Sequence, residues 1–563
     1  MRRLWSIIPT QYRRRAIVVT LTIFLRAILN FIGIASLIPI LILVLDTNSI
    51  ESNSYLGYIY NTCNIESHTT FCVIVCCTIV AIITLKNIIN LLLYRYERDY
   101  INNLYYHLSE GLYKEYYSQG LSFIKQNNSA NLTRNINVVT MMFVNGVLKP
   151  IATIISDGLL ILLILGALVC YSPVAALLTI LLFLPIVATL YLGLRRKLNN
   201  LGDDENKAQR TKARLVSDSF RGYAEAEVFN AFPLIFNIFQ DETNKIIDIR
   251  KRHATIGQLP QMFTEIGLAI GLTIIILISI NNSSDNLAFL LGVFAIAALR
   301  LLPSLRSILT SWSMMRYHSY SIDTLSEATI DSHQEKHQTT ERLVFNNKIE
   351  LRNVGFSFDE NNSPILKNIS LTITKGERIG IRGVSGVGKT TLFYIILGLY
   401  KPSSGAIYID GEKLDDSNIR KWQNNIGYVS QSVFIADLSL AENIALGYNK
   451  DEIDYDRMNR VIELANLNDF VDSLPNGIDS QIGEQGCRVS GGQRQRIGLA
   501  RALYRECDVL LLDEATSSLD NTTEQYINES IANLQKENES LTIIMIAHRE
   551  SSLEYCNRII TLD

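Results

Sequence analysis

Gly383-Val384-Ser385-Gly386-Val387-Gly388-Lys389-Thr390 is the stretch from which the rest of the chain is read. An apolar, strand-like run (Arg378-Ile379-Gly380-Ile381) precedes it, and an apolar, helix-like run (Leu392-Phe393-Tyr394-Ile395-Ile396-Leu397) follows. Strand, glycine-rich turn and helix N-terminus is the setting a phosphate-binding loop requires. Its glycines let backbone N–H groups close around phosphate oxygens, and the helix N-terminus adds partial positive charge. Lys389 reaches the β- and γ-phosphates, and the hydroxyl of Thr390 is placed to ligate Mg²⁺. The expectation is a nucleoside-triphosphate site in a P-loop α/β domain.

Stretches further along extend this site. Ile426-Gly427-Tyr428-Val429-Ser430-Gln431 reads as a strand ending in glutamine, and Val489-Ser490-Gly491-Gly492-Gln493 opens an arginine-rich helical run, RQRIGLARAL. Val509-Leu510-Leu511-Leu512-Asp513-Glu514 is a buried strand ending in two carboxylates. Asp513 is placed to hold Mg²⁺ through water and Glu514 to polarise an attacking water. Ser518-Leu519-Asp520 follows, and Ile543-Ile544-Met545-Ile546-Ala547-His548 is another apolar strand ending in a polar residue. Strand C-termini are where open α/β sheets place their ligands. Upstream, Phe358 closes a strand-like stretch; it either stacks on an adenine or belongs to the core.

The half of the chain before this domain has a different chemistry. Of 563 residues, 48% are hydrophobic and 19% charged, with a net charge of −3, which gives no pointer to nucleic acid. Nearly all the long apolar runs precede residue 316: 16–45, 70–94, 146–170, 173–194, 262–280 and 287–315. Each suffices for the ~20 residues that cross a bilayer as helix. Residues 46–69, 171–172 and 281–286 contain no Lys or Arg, whereas 1–15 hold five, 95–149 six and 195–260 twelve. That is the positive-inside pattern for six spans with both termini cytoplasmic. The long inner segments read as membrane helices that run on into the cytoplasm and turn back near 122–128 and 219–229. The basic start, MRRLWSIIPTQYRRR, reads as an anchor rather than a leader. Eight cysteines show no metal-ligand spacing. The chain thus divides into a transmembrane domain (1–325), a polar linker (326–343) and a nucleotide-binding domain (344–563).

Charges inside the apolar runs need a reason, each costing on the order of 2.5–3.5 kcal/mol at mid-membrane. Arg26, Lys86, Asp157, Glu265, Arg300 and Arg306 are the candidates. One reading pairs Asp157 or Glu265 with a cation, or lets the side chains snorkel; the other turns them into a watery cavity. Four cations against two carboxylates leave a positive surplus, which an anionic cargo would balance.

Together these motifs resemble the nucleotide-binding domain of ATP-binding cassette (ABC) transporters, and the six spans before it resemble an exporter-type half-transporter. VSGGQ departs from that family's LSGGQ by one apolar residue. The resemblance implies ATP contacts from Phe358, Gly383, Ser385, Gly386, Val387, Gly388, Lys389, Thr390 and Thr391. Across a dimer it implies contacts from Ser490, Gly491, Gly492 and Gln493, and it adds Asp520 to the nucleotide-binding residues. It makes Glu514 the general base and His548 a γ-phosphate contact. Mg²⁺ would be held by Thr390, Gln431 and Asp513. It also implies a second copy of the chain, since ATP lies between one copy's phosphate loop and the other's SGGQ. The membrane half further resembles PglK-type flippases of lipid-linked oligosaccharides, through Ala298-Leu299-Arg300-Leu301-Leu302-Pro303-Ser304, Tyr317-His318-Ser319, Lys86 and Glu265. Gln261 departs from that group, where a basic residue stands. The implied cargo is an anionic, polyprenyl-diphosphate-linked glycan met by Lys86, Arg300 and Arg306 in a bacterial inner membrane. Export of peptide, drug or another lipid is the alternative, and a non-transporting ATP switch is disfavoured because it needs no general base.

Overall fold

The computed structural model describes residues 2–36, 68–171, 173–282, 287–327, 339–358, 364–483, 489–516, 519–547 and 549–562. The backbone divides into two compact units, Met1–Gln119 with Phe123–His333, and Gln334–Asp563 with Gly120–Ser122.

The first unit is helical. Among the described residues, four helices are long and apolar enough to cross a membrane: Thr10–Ala35, Thr70–Ser118, Ser129–Cys170 and Thr179–Arg221. The fifth and sixth apolar runs lie on the helices Phe232–Asn282 and Leu287–Tyr317, parts of which fall outside the described side chains. His68–Ser118 has 51 residues; at 1.5 Å per residue that is about 75 Å, far beyond a ~30 Å hydrocarbon layer. Its extension is held by a stripe of Ile101, Leu104, Leu108 and Leu112, at helical spacing, packed on Phe143, Val144 and Val147. The chain turns at Gln119 and Asn127–Asn128, and again at Gly222 and 229–231, where short helices replace the long ones. Two π-helical turns, Asn135–Val139 and Val144–Leu148, interrupt the third apolar helix before Lys149–Tyr171.

The intramembrane charges are arranged differently from the sequence reading. Arg26 pairs with Glu97, a carboxylate beyond the end of the second apolar run. One turn on, Asn90 Nδ2 donates to Asn30 Oδ1 at 2.9 Å, and Lys86 lays its stem over Gly33. The first two helices therefore meet along an antiparallel ladder of polar positions. Arg26 is thereby removed from the proposed cationic surplus. Gln261 Nε2 donates to Glu265 Oε1 at 2.8 Å on the same helix.

Past the sixth run, Tyr317 donates to Glu205, which also accepts from Arg250 Nε at 2.8 Å. His253 stacks on Tyr317 with ring centroids 3.9 Å apart, and His318 meets Tyr317 edge-on. The imidazole of His318 sits where a Cβ on Gly146 would come within 2.4 Å, so only glycine admits it there. Facing His318 are Glu205, His253, Tyr317 and Tyr320, and burial lowers its pKa from the usual 6.5 to about 4, with Glu205 opposing. Between those values the unfolded chain binds a proton that the folded one refuses, so stability falls as pH drops from 6.5 towards 4. In a pH series of apparent Tm on the detergent-solubilised protein, His318→Gln is expected to flatten this acid-side decline; an unchanged slope would refute it.

The second unit holds two sheets. In the antiparallel one the order is β2-β1-β4-β5, with β1 Lys348–Phe356, β2 Leu366–Thr374, β4 Ser404–Ile409 and β5 Glu412–Lys413. The parallel sheet has the order β6-β7-β8-β3-β9, with β3 Arg378–Arg382, β6 Ile426–Val429, β7 Val509–Asp513, β8 Thr542–Ile546 and β9 Arg558–Thr561. Every pair in it runs parallel, so all C-terminal ends share one edge. Val509–Asp513 and Thr542–Ile546 are buried at every position, as their unbroken apolar sequence requires of strands covered on both faces.

Candidate functional site

The C-terminal edge of the parallel sheet brings together the phosphate loop, Thr390, Asp513, Glu514 and Gln431. Strand β3 runs into Gly383, and the loop 383–388 enters the helix Lys389–Ile396. Gly388 has φ 105°, and a Cβ there would come within 2.7 Å of Leu366 Cδ2. Backbone conformation and space both demand glycine at this turn. Leu392, Phe393, Ile395 and Ile396 bury the helix's inner face and fix its N-terminus over the sheet edge. Lys389 is 7% exposed, and its Nζ donates to the carbonyls of Gly383 (2.7 Å) and Val384 (3.1 Å). Ser385 and Gly386 are exposed in the loop, Val387 is half-buried, and Thr391 continues the helix beside Thr390.

Thr390 Oγ1 lies 3.5 Å from Asp513 Oδ1 at the end of β7. Asp513 is 1% exposed, and its Oδ2 has no hydrogen-bond partner. Burial pushes its carboxyl up to about 6, with the Thr390 hydrogen bond pulling the other way. A buried carboxylate with an orphaned oxygen beside a hydroxyl is a hard-oxygen donor set, which suits a cation such as Mg²⁺.

Glu514 follows with φ 51°, an uncommon backbone conformation for a residue with a side chain. Its N–H donates to Ile546 O at 3.0 Å. Gln431, two residues past β6, donates through Nε2 to Glu514 Oε2 at 2.8 Å. The glutamine and the carboxylate are thereby brought together. His548 is outside the described residues.

The remaining residues divide by what already holds them. Ser490 caps the helix Gly491–Tyr504: its hydroxyl accepts from Gln493 N at 3.2 Å, and Gln493 Oε1 accepts from Ser490 N at 2.8 Å. Gln493 therefore closes its own helix, leaving the N–H groups of Gly491 and Gly492 at the helix start. Asp520 caps Asn521–Glu537 by accepting from Thr523 N at 3.0 Å. The Thr522 hydroxyl and that N–H hold its carboxyl well below the usual range. Phe358, 42% exposed, meets Phe356 and Tyr400 edge-on, at 5.2 and 5.7 Å between ring centroids.

Arg501 was not selected from sequence. It donates to Asn443 O (2.8 Å) and Phe434 O (2.9 Å), pinning the segment after Gln431 to the helix Gly491–Tyr504. Its only signal was the arginine-rich run itself. In the membrane half, Lys86 is buried on the helix that packs against Thr10–Ala35, while Arg306 is exposed on Leu287–Tyr317. The side chain of Arg300 lies outside the described residues.

A phosphate loop, a carboxylate pair and a glutamine on one parallel-sheet edge, in a chain with membrane-length helices, define a nucleotide-driven membrane ATPase. Residues 366–517 match the family described as ABC transporter. The ATP-dependent lipid A-core flippase of Cupriavidus pinatubonensis (strain JMP 134 / LMG 1197) is 31% identical over 449 residues, covering 78% of this chain and 75% of that one. The protein of the same name from Burkholderia pseudomallei (strain 1710b) is 30% identical, covering 79% and 74%. The chain also shares its fold with a solved bacterial Atm1-family ABC exporter with ATP bound, at TM-score 0.76 and 21% identity over 98% of this chain and 93% of that one. The chain belongs to the ABC transporters, as an exporter-type half-transporter with flippase relatives. It is a membrane protein that binds ATP and couples its hydrolysis to transport.

Proposed function

We propose that two copies of this chain form a homodimer that flips an anionic glycolipid across the bacterial inner membrane, most specifically a polyprenyl-diphosphate-linked oligosaccharide. Six spans, both termini cytoplasmic, and the division at 1–325, 326–343 and 344–563 belong to this reading. In each ATP site, Lys389 and the loop N–H groups of Gly383–Gly388 hold the β- and γ-phosphates, and Phe358 offers its exposed ring to the adenine. Thr390, Asp513 and Gln431 would hold Mg²⁺, which would supply positive charge to screen the phosphates. Glu514 accepts the proton of the attacking water, with Gln431 orienting the carboxylate, and His548 meets the γ-phosphate. Ser490, Gly491 and Gly492 contact the nucleotide of the other copy, with Gln493 and Asp520 behind them. The observation that carries the catalytic part is the 2.8 Å bond from Gln431 to Glu514 at the end of the strand bearing Asp513.

For the cargo, the support is coarser. The curated relatives are named lipid A-core flippases, which favours a phosphorylated glycolipid and makes a lipid A-like cargo the second reading. Exposed Arg306, with Arg300 and Lys86, supplies the cationic chemistry for a diphosphate headgroup. The test is flipping in proteoliposomes, comparing a polyprenyl-diphosphate oligosaccharide with lipid A-core. Arg306→Ala is expected to lower flipping of the oligosaccharide about tenfold or more, the loss of a charged hydrogen bond, with basal ATPase kept and a smaller loss for Arg306→Gln. Flipping of lipid A-core alone would replace the first cargo by the second.

A further inference from the structure

The helix that begins at Ser490 also reaches the residue bearing the base. Gln495 lies in its second turn, is 3% exposed, and donates through Nε2 to the backbone carbonyl of Glu514 at 3.2 Å. On its other side, the Glu514 N–H is held by Ile546 at the end of β8. Both backbone groups of one left-handed, non-glycine residue are thus fixed by partners on separate elements. A backbone conformation of this kind persists only where its surroundings hold it.

We propose that Gln495 is a positioning residue for ATP hydrolysis: it holds the Glu514 main chain so that the carboxylate points at its water. The proposal rests on the reading of Glu514 as the base. Its chemistry is specific. Gln495 touches no reacting atom in this scheme; it acts through the Glu514 carbonyl. The tether also joins, within two turns of one helix, the residue that meets the other copy's nucleotide, Ser490, to the residue that aligns the base of its own. Movement of that helix is therefore transmitted to Glu514, and hydrolysis in one site depends on the seating of the SGGQ segment in the other.

The test uses the full-length protein in lipid nanodiscs. Gln495→Met keeps the length and burial of the side chain and removes the donor; Gln495→Glu replaces the donor with a carboxylate. Each is expected to lower kcat by about 10- to 100-fold, the scale on which misplaced catalytic groups lose rate. For Gln495→Met, KM for ATP, equilibrium ATP binding and apparent Tm should stay near wild type, whereas Gln495→Glu, which buries an unpaired carboxylate, should also lower Tm. In a Glu514→Gln background, where residual turnover is followed with radiolabelled ATP, Gln495→Met is expected to add no further loss, because residues acting as one unit are non-additive. For Gln495→Met, an unchanged kcat, a loss that follows Tm or ATP affinity, or a fully multiplicative double mutant would each overturn the tether. Glu514→Gln alone separates the two ideas. Wild-type turnover in that variant overturns the base reading, whereas an inactive Glu514→Gln beside a fully active Gln495→Met overturns only the role of Gln495.

Discussion

Glu514→Gln is expected to reduce steady-state ATP turnover by about 10²- to 10⁴-fold, the range for loss of a general base, while ATP remains bound. The substitution keeps the side chain's size and an oxygen that can accept from Gln431 Nε2, now 2.8 Å from the carboxylate. The phosphate loop, which begins at Gly383, 131 residues earlier in the sequence, is untouched. A protein that binds ATP and cannot hydrolyse it is expected to accumulate in the closed, ATP-bound form of the proposed homodimer, so nucleotide trapping should rise as turnover falls. Filter binding with radiolabelled ATP, paired with phosphate release, checks both halves. Hydrolysis at the wild-type rate would remove Glu514 from its role.

Lys389→Ala should fail at the preceding step. The ammonium is 7% exposed and held by the carbonyls of Gly383 and Val384, so its position is set before any phosphate arrives. Losing a hydrogen bond to a charged group costs about 1.5–3 kcal/mol, or about 10- to 150-fold in Kd. Titration with a fluorescent ATP analogue should therefore distinguish the two variants, with weak binding in Lys389→Ala and near-normal binding in Glu514→Gln. Equal, unimpaired binding in both would mean that Lys389 does not carry the phosphates.

The parts of this molecule that sequence discloses are those coded over short distances. A buried parallel strand is an unbroken apolar run, and Val509-Leu510-Leu511-Leu512 announces both β7 and the carboxylates at its end. The phosphate loop is likewise legible because its glycines, lysine and threonine act within eight residues. Contacts made by folding are not coded this way. Arg26 finds Glu97, 71 residues later and beyond the end of the second apolar run. Gln495 reaches Glu514 from another helix, and nothing in RQRIGLARAL distinguishes that glutamine from a solvated one. The π-helical turns at Asn135–Val139 and Val144–Leu148 lie in a sequence that a regular helix would fit equally well. Composition could count the membrane cations, but only packing lays the buried Lys86 against Gly33.

Ser490 illustrates why durability and transport need not rise and fall together in this protein. One atom serves both: the hydroxyl oxygen receives the Gln493 N–H and so begins the helix, while the hydrogen on that oxygen remains for donation outward. An aspartate would begin the helix as well as serine does, yet it carries no hydrogen at neutral pH and, on the proposed contact of Ser490 with the other copy's ATP, would turn a negative charge towards a triphosphate. Screening variants for heat resistance would pass such a chain as sound, and a cell depending on its cargo would find it inert. At this position the requirements for folding and for function diverge at a single proton.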